Sequence, residues 1–366
     1  MGKPETRAAG WIVFLLFPAC LTAGTIYSVV DLGKLAGGSA TSASGISSNG
    51  SVTGSGDTAS AFSTPFLWSS AAGLTTVTLD SSLGFGMGVN ASGAVVGYQF
   101  GSDFSLRGFL NDGSGTILIP LLGGANNTAT AINNAGTVVG YSETTDGKEI
   151  AFSYVAGAST PLGVLPGGAN SRANAINSFG TIVGQADDSS GLFHAVLLSG
   201  GAWTDLGVPP GYESGAAMAI SDLGQVAGTF DDGVGGSMAF LWTPSGQTVV
   251  LLGALAPGGN SRASGVNSSG LVVGTSGDTA FLYDAAGMHD LNTLLAPTSS
   301  AWQLSETAAI NDLGQIVGTG YLQGQQHALL LNPEQTVPEP ATLPLSCGVL
   351  LLLAVMNRRR FRKEEV

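Results

Sequence analysis

A ten-residue pattern occurs seven times along the chain and constrains its fold more than any other feature. The pattern consists of a small residue, Ile or Val, Asn or Ser, two variable residues, Gly, a variable residue, Val or Ile, another variable residue and Gly. The copies are 43 to 46 residues apart and begin at Gly45, Gly88, Ala131, Ala175, Ala219, Gly265 and Ala309. Repeats of this length are single supersecondary units that bury their apolar faces against their neighbours, so we expect a repeat architecture.

Two further patterns accompany each copy and divide the repeat into four short strands. An apolar segment follows the ten-residue pattern, as in Ala239-Phe-Leu-Trp242, and a Leu-Gly segment comes next, as in Leu162 to Gly168. In the third copy we predict strands over residues 128–133, 137–142, 150–155 and 159–164. Gly136 can adopt the positive φ of a three-residue hairpin with a G1 bulge, and we expect the same turn at residues 156–158. Helical periodicity is absent, so almost no α-helix is expected.

Four strands in a repeat of this length form one blade of a β-propeller, so the seven copies predict an all-β, seven-bladed β-propeller. The last copy ends after three strands, whereas an additional strand from Ile26 to Gly33 precedes the first copy. We expect this N-terminal strand to complete the last blade, because that would close the ring and remove its open edges. An open solenoid is the alternative, but it would prefer distinct capping repeats, and none is apparent.

The charge distribution argues against a nucleic-acid-binding role. Residues 25–331 contain five basic and twenty acidic residues, a net charge of −15. A surface of this sign repels phosphate backbones, so no nucleic-acid partner is expected. Charged residues form only 10% of the chain and 56 residues are glycine, which also disfavours long exposed helices and coiled coils.

Both ends of the chain have the composition of targeting segments, which divides it into residues 1–24, 25–332 and 333–366. Lys3 and Arg7 precede an apolar run that closes with small residues near Ala23. This is the layout of a signal peptide, which is handled by the Sec translocon and signal peptidase, with lipidation at Cys20 as the alternative. The other cysteine is Cys347, so we expect no disulfide in residues 25–332.

The C-terminal segment combines three features in a fixed order. A Pro-Glu-Pro motif, an apolar stretch over residues 343–356 and a basic cluster follow one another, with the key residues being Pro338, Glu339, Pro340, Arg358, Arg359 and Arg360. The stretch is short for a permanent transmembrane helix, and the basic residues would stay cytoplasmic; an ordinary tail anchor is the alternative. The order resembles the PEP-CTERM sorting signal of Gram-negative, exopolysaccharide-producing bacteria. The resemblance implies transient association with the inner membrane through a short hydrophobic helix and removal of the tail by an exosortase.

The repeats themselves also resemble a known family. The His/Ala-Phe-Leu-Trp segment and its companion motifs, across residues 25–331, are similar to the HAF family of extracellular repeats. Together with the two end segments, this resemblance implies a protein exported across the inner membrane to the cell surface or the extracellular matrix. Exopolysaccharide is then the expected partner.

Few residues of the repeats are suited to catalysis or metal binding. His194 and His327 share one repeat position and are expected to be structural, and His289 is expected at the surface. No pair of histidines has metal-ligand spacing, and the nucleophile-elbow, metalloprotease and phosphate-loop motifs are absent, so we predict no metal site and no cofactor. Ca²⁺ held by acidic loops is the alternative, against the simpler explanation that these loops are solvated. The loops are Asp187-Asp188, Asp231-Asp232 and, in the equivalent place of the third copy, Glu143 to Asp146.

Four residues are candidates for ligand binding. Arg172 and Arg262 share a Gly-x-Asn-Ser-Arg-Ala context and would suit an anionic sugar, whereas Trp203 and Trp302 would suit carbohydrate stacking. The strand aromatics are instead expected to pack between blades, and these are Phe66, Trp68, Phe109, Phe152, Phe240, Trp242 and Phe281.

These observations favour a non-catalytic structural or binding role, and we predict that the chain is not an enzyme. The alternative is an extracellular polysaccharide lyase or hydrolase, because propellers often build active sites from loops at the channel mouth. A paired carboxylate or a His–carboxylate set converging there would distinguish the two.

Overall fold

The computed structural model describes residues 25–334, which form seven four-stranded antiparallel sheets. Each sheet corresponds to one repeat, so the predicted seven-bladed propeller is confirmed. The segments predicted to be a signal peptide and a C-terminal sorting signal, and both cysteines, lie outside the described residues. Residues 25–334 contain no α-helix, only the short 3₁₀ helices Leu291–Leu294 and Pro297–Ser299. Within this range no helix is long and apolar enough to cross a membrane.

The first strand of the chain is β1 (Ile26–Asp31), and it is the outermost strand of blade 7. The innermost strands of blades 1 to 7 are β2 (Thr41–Ile46), β6 (Gly84–Val89), β10 (Gly123–Ile132), β14 (Ser171–Ile176), β18 (Ser214–Ile220), β22 (Ser261–Val266) and β26 (Trp302–Ile310). The second strands are β3 (Val52–Gly56), β7 (Val95–Phe100), β11 (Val138–Thr144), β15 (Ile182–Asp187), β19 (Val226–Asp231), β23 (Val272–Ser276) and β27 (Ile316–Leu322). The third strands are β4 (Thr64–Ser69), β8 (Leu106–Asn111), β12 (Glu149–Val155), β16 (Phe193–Ser199), β20 (Ser237–Thr243), β24 (Thr279–Asp284) and β28 (Gln325–Glu334). The outermost strands of blades 1 to 6 are β5 (Gly73–Thr76), β9 (Thr116–Leu118), β13 (Ala158–Pro161), β17 (Ala202–Asp205), β21 (Thr248–Leu251) and β25 (Gly287–Asp290).

The ring of blades is closed by both ends of the described chain. Each innermost strand contacts the innermost strands of the two neighbouring blades, and this includes β26 with β2. The open solenoid is therefore excluded. Strand β1 pairs antiparallel with β28, with Val29 opposite Leu331 and Val30 opposite Leu330. The prediction that the N-terminal strand completes the last blade is thus confirmed, and the outer edge of blade 7 is covered.

The ten-residue pattern forms the hairpin between the first two strands of each blade. In blade 3, Gly136 has a φ of 82°, in the left-handed region that glycine adopts at little cost. The side-chain oxygen of Asn133 accepts hydrogen bonds from the amides of Ala135 and Thr137 at 3.1 and 3.0 Å. Asn or Ser recurs at the first position because its side chain bonds the amides of the turn. Gly recurs at the later position because it allows the backbone geometry of the turn.

The hairpin between the last two strands of blade 3 differs from the prediction. Val155 is paired directly with Ala158, so the loop contains only Ala156 and Gly157. Both residues have positive φ, 50° and 93° respectively. Positive φ at both central positions characterises a two-residue type I′ turn, whose twist matches that of the flanking strands. The expected three-residue turn at residues 156–158 was therefore wrong.

Every innermost strand contains a β-bulge, which the sequence analysis did not predict. In blade 3 the register shifts between Ala129 and Ala131, so that Thr130 is the additional residue. The bulge explains the last glycine of the pattern, because a Cβ atom on Gly140 would overlap with the carbonyl oxygen of Thr128. A larger residue at this position would push the two strands apart.

The hydrophobic core lies between adjacent blades. Five third-strand phenylalanines are fully buried, and these are Phe66, Phe109, Phe152, Phe240 and Phe281. Phe152 of blade 3, for example, packs in one cluster with Val96 of blade 2. Trp68 and Trp242 are half-buried against similar clusters. The expectation that these aromatics pack between blades is confirmed, and each buried phenylalanine contributes roughly 1.5–3 kcal/mol.

Side-chain hydrogen bonds also join the blades around the axis. The side-chain amide of Asn133 donates to the carbonyl oxygen of Asn177 in the next blade at 3.2 Å. The equivalent bond from Asn311 to Ser47, at 3.1 Å, crosses from blade 7 to blade 1. The same residue type therefore caps its own hairpin and links its blade to the next one.

Candidate functional site

The two faces of the propeller carry different connections. We call the face with the loops between second and third strands the upper face, and we call these connections the 2–3 loops. The starts of the innermost strands lie on the same face. The lower face carries the turns of the ten-residue pattern. The ten-residue pattern makes the turns between first and second strands similar in every blade, whereas the 2–3 loops differ in length and sequence from blade to blade.

The upper face contains a cavity of about 450 Å³ between blades 3 and 4, which we call the 3–4 pocket. Small-molecule sites commonly have volumes of about 300 to 1,000 Å³ and combine apolar walls with a few polar groups. The wall of the 3–4 pocket has both kinds of residue, and it includes Leu106, Asn126, Tyr141, Glu143, Glu149, Asn170, Arg172 and Phe193.

Arg172 is held in the 3–4 pocket by two neighbours from blade 3. Its Nε and Nη2 atoms both lie 2.5 Å from Oε2 of Glu149, which begins β12. Its guanidinium carbon is 4.9 Å from the ring centre of Tyr141 on β11, in cation–π geometry. The ion pair and the stacking fix the direction of a side chain that would otherwise be mobile, so its remaining donors have a defined orientation.

Two carboxylates lie side by side in the same pocket. Glu143 and Glu149 are directly opposite one another on β11 and β12. Oε2 of Glu143 accepts a hydrogen bond of 2.8 Å from the side-chain amide of Asn126. The side-chain oxygen of Asn170 accepts the amide of Glu149 at 3.1 Å. With two carboxylates against one guanidinium, the pocket has an excess of negative charge, which disfavours the anionic sugar that Arg172 alone suggested.

Arg262 occupies the equivalent position in β22 but has different surroundings. Its Nη2 atom is 3.4 Å from Oδ1 of Asp231, and 67% of its side chain is exposed. Thr229 stands where blade 3 has Tyr141. The structure therefore places the two candidate arginines in separate junctions between blades, and it does not bring them together.

The two candidate tryptophans take part in contacts between strands. The indole nitrogen of Trp203 donates to the carbonyl oxygen of Leu162 in blade 3 at 2.9 Å, and its ring is half-buried between blades 3 and 4. The Trp302 ring meets that of His327 edge-on, with ring centres 5.6 Å apart. Both rings thus lie against protein on at least one side.

The histidines are each paired with an aspartate on an adjacent strand. Nδ1 of His194 lies 2.7 Å from Asp205, and Nδ1 of His327 lies 3.0 Å from Asp31. These are the same contact in two blades, as expected for a structural position. His289 is half-buried and lies 3.0 Å from Asp284.

The acidic loops mainly organise the backbone. Asp187 is buried and accepts the amides of Ala169 and Asn170 at 2.6 and 2.7 Å. Burial opposes ionisation of its carboxyl group, but the hydrogen bonds from Asn170 and Ala169 outweigh this and hold its pKa below the usual value. Asp188 accepts the hydroxyl and amide of Ser190, which lowers the pKa of Asp188. Within the described part of the chain, no three His, Cys, Asp or Glu side chains are grouped to hold a metal ion.

A second cavity, of about 180 Å³, lies on the axis at the lower face. It is separated from the upper part of the channel by a ring of aliphatic side chains, namely Ile46, Val89, Ile132, Ile176, Ile220, Val266 and Ile310. Its polar groups bond one another; Oδ1 of Asp222, for example, accepts the amide of Ser178 at 2.9 Å. This cavity is smaller than the 3–4 pocket and its polar groups are already engaged with one another, so it is the weaker candidate.

Most of the residues that surround Arg172 were not predicted from the sequence to share a site with it. Tyr141, Glu143 and Glu149 come from blade 3, whereas Arg172 comes from blade 4, and only the packing of the two blades joins them. Phe62 and Phe104, two exposed aromatics on 2–3 loops, were not predicted as site residues either. The sequence did contain a signal for these two residues, because both depart from the repeat and neither belongs to the recurring motifs.

Fold and site together define the class of this protein as a seven-bladed β-propeller with a mixed polar and aromatic pocket on its upper face. No protein-family model matches the chain, and no curated protein matches it. Solved propellers are similar in fold. YCF48 bound to D1 peptide is 12% identical with a TM-score of 0.51, over 85% of this chain and 97% of that one.

Two other solved structures have lower scores. TolB from Acinetobacter baumannii is 12% identical with a TM-score of 0.44, and the match spans 56% of this chain and about half (52%) of TolB. A gluconolactonase from Xanthomonas campestris is 12% identical with a TM-score of 0.41, over 84% and 90% of the two chains. At such identities the likeness concerns the fold alone.

Proposed function

We propose that the chain is an exported propeller of the cell surface or extracellular matrix that binds polysaccharide without cleaving it. The 3–4 pocket carries this proposal, because it combines an aromatic ring, amide groups and an oriented guanidinium in one cavity. Sugars are recognised by this combination, since their hydroxyl groups need convergent donors and acceptors while their C–H faces pack on apolar walls. The targeting segments expected from the sequence support the location, with exosortase processing as part of the same proposal.

Binding is favoured over catalysis by the way the polar groups are already engaged. Glu149 is tied to Arg172, and Glu143 is tied to Asn126. A general acid or base needs a free position toward the substrate, whereas these contacts already engage Oε2 of both carboxylates.

The test is a screen of the purified full-length chain against extracellular polysaccharide from the producing cell, in which binding and release of products are measured together. We expect binding without product release. Arg172→Gln should weaken binding at least about tenfold, in line with the loss of charge-assisted hydrogen bonds. Arg262→Gln is the matched control, since it changes the same repeat position in a junction without the tyrosine. Equal effects of the two variants would contradict a site in the 3–4 pocket.

Location is tested separately by fractionating producing cells and analysing the termini of the recovered protein by mass spectrometry. We expect extracellular or surface protein that lacks both residues 1–24 and the Arg358–Arg360 cluster. Recovery from the cytoplasm, or with the cluster still attached, would contradict export and processing.

A second candidate function is a polysaccharide lyase or hydrolase, and the facing pair Glu143 and Glu149 is the observation that favours it. Two carboxylates on either side of a glycosidic bond are the usual machinery of glycoside hydrolysis. If the screen detects product release, Glu143→Gln and Glu149→Gln should each abolish it. Product release that survives both substitutions would place the activity elsewhere.

A further inference from the structure

Aromatic side chains continue beyond the 3–4 pocket across the upper face. Phe62 of blade 1 and Phe85 of blade 2 line a common cavity of about 270 Å³. Phe85 stacks on Tyr98 with ring centres 5.2 Å apart, and Tyr98 meets Phe100 edge-on at 6.0 Å. The next 2–3 loop leads to Leu106, which lines the 3–4 pocket. Aromatic and apolar groups therefore follow one another from blade 1 to blade 4.

Two aromatics of this face are almost completely exposed on 2–3 loops. Phe62 is 96% exposed, and Phe104 is 82% exposed. A ring in this position contributes nothing to the core, and a monomeric protein gains no stability from presenting it to water. Exposed loop aromatics of this kind are typical of surfaces that contact a ligand.

Phe104 is also held in a backbone conformation that suits glycine. Its φ is 62°, and its amide bonds to the carbonyl oxygen of Gly101 at 3.0 Å. Blades 3 and 4 form the same turn with the same hydrogen bonds, but they place Gly147 (φ 78°) and Gly191 (φ 84°) at this position. The chain thus keeps an exposed phenylalanine where its own repeats use glycine. Folding does not require the ring, so its presence indicates a contact made by the folded protein.

We propose that the upper face of blades 1 to 4 is an extended binding site for an uncharged polysaccharide chain, running from Phe62 past Phe85 and Tyr98 to Arg172 in the 3–4 pocket. This inference rests on the proposed function and specifies its ligand as a chain of several sugars. Successive sugar rings present flat C–H faces that stack on aromatic rings, and their hydroxyl groups find partners among the amides and carboxylates of the pocket. A binding energy that is spread over several subsites increases with the length of the ligand.

The charge of the protein selects against other polymers and surfaces. Residues 25–331 carry a net charge of −15, and Glu143 and Glu149 outnumber Arg172 in the pocket. An acidic polysaccharide or an anionic membrane would therefore be repelled as it approaches the exposed rings.

The experiment uses size-fractionated oligosaccharides of the producing cell's extracellular polysaccharide, separated into neutral and acidic fractions and titrated calorimetrically into the full-length chain. We expect the Kd of neutral fragments to fall about tenfold or more between disaccharides and hexasaccharides. Phe62→Ser and Phe104→Gly should remove this dependence on length while the Kd of the disaccharide stays unchanged. Phe179→Ser is the control, because Phe179 is 79% exposed on the lower face.

The outcomes separate this inference from the proposed function. Disaccharide binding that depends on Arg172, with the same Kd for longer fragments, would overturn the extended site and leave the pocket in place. Absence of binding to any fragment would overturn both. Tighter binding of the acidic fraction, an equal effect of Phe179→Ser, or binding to phosphatidylcholine vesicles that is lost in Phe62→Ser would also overturn the extended polysaccharide site.

Discussion

The backbone amide of Ala328 donates a hydrogen bond of 3.0 Å to the hydroxyl oxygen of Thr41, which lies 287 residues earlier in the chain. The same hydroxyl donates to the carbonyl oxygen of Gly33 at 2.8 Å. Thr41 begins the first blade, Ala328 belongs to the last blade, and Gly33 follows the N-terminal strand that completes it. One buried side chain therefore joins the three segments at which the ring closes.

Thr41→Val should destabilise the protein by about 1–3 kcal/mol. Valine has the shape of threonine but leaves the buried amide of Ala328 and the carbonyl of Gly33 without their partner. Thr75→Val is the control, because the Thr75 hydroxyl also donates to a carbonyl oxygen, that of Leu67, but is exposed to water. Urea unfolding measures both variants. Similar losses of unfolding free energy in the two would show that closure does not depend on Thr41.

Gly140→Ala should cost about 2–3 kcal/mol, because the new methyl group would overlap with the Thr128 carbonyl oxygen beside the β-bulge. Gly136→Ala, in the same hairpin, has no atom within 4 Å of the added carbon and only a positive φ to accommodate. That change should cost about 1 kcal/mol. The unfolding free energies of the two variants show which substitution costs more. A larger loss for Gly136→Ala would contradict the role assigned to the bulge.

Asp57 should make part of the stability dependent on pH in the acid range. Hydrogen bonds from the Ala40 amide and from the hydroxyl and amide of Ser39 lower the pKa of Asp57 to about 2. Since the folded pKa is below the value of 3.8 for a free aspartate, the stabilisation is complete above about pH 4 and is lost as the pH falls through about 2.

Asp57→Asn should therefore lower stability at neutral pH and flatten the decline between about pH 4 and 2. Unfolding free energies as a function of pH measure this effect, and the ¹³C shift of the carboxyl carbon reports the pKa directly. The control is Asp278→Asn, at an exposed aspartate in the turn between β23 and β24. An unchanged acid profile in Asp57→Asn would refute the assignment.

Phe104→Gly should stabilise the folded protein by about 0.5–1 kcal/mol, because glycine adopts the φ of 62° without strain. Phe62→Gly, at a residue without positive φ, should have no such benefit and should be slightly destabilising. Thermal unfolding of both variants is sufficient for the comparison. A loss of stability in Phe104→Gly would mean that the ring contributes to folding after all.

Much of the fold followed from local patterns because local chemistry defines it. A glycine with positive φ behind an Asn or Ser cap forms a hairpin wherever it occurs, so seven copies predict seven hairpins. The burial of Phe66 and Phe152 followed from their place in alternating strands. The two-residue loop at Ala156 and Gly157 was missed because its form depends on the pairing of Val155 with Ala158, which the sequence does not display.

The candidate site was predicted only in part. Arg172 was recognised from its repeated context, but so was Arg262, and the two have the same local sequence. What distinguishes them is the preceding blade, which supplies Tyr141 and Glu149 to one and Thr229 and Ser237 to the other. Phe104 could have been found from the sequence by comparing 2–3 loops, since the corresponding turns contain Gly147 and Gly191.

The amino-acid sequence by itself determined the number of blades, the strands within each blade and the use of the N-terminal strand to close the ring. These properties depend on backbone conformation and hydrophobic alternation over a few residues, and repetition makes that weak local signal clear. Only the tertiary structure decided where the bulges lie, why Gly140 cannot be larger and which side chains meet in the 3–4 pocket. The bulges and the close approach at Gly140 depend on how two strands pair within a blade. The 3–4 pocket depends on how one blade packs against the next, as in the contact between Arg172 and Glu149, which are 23 positions apart in the chain.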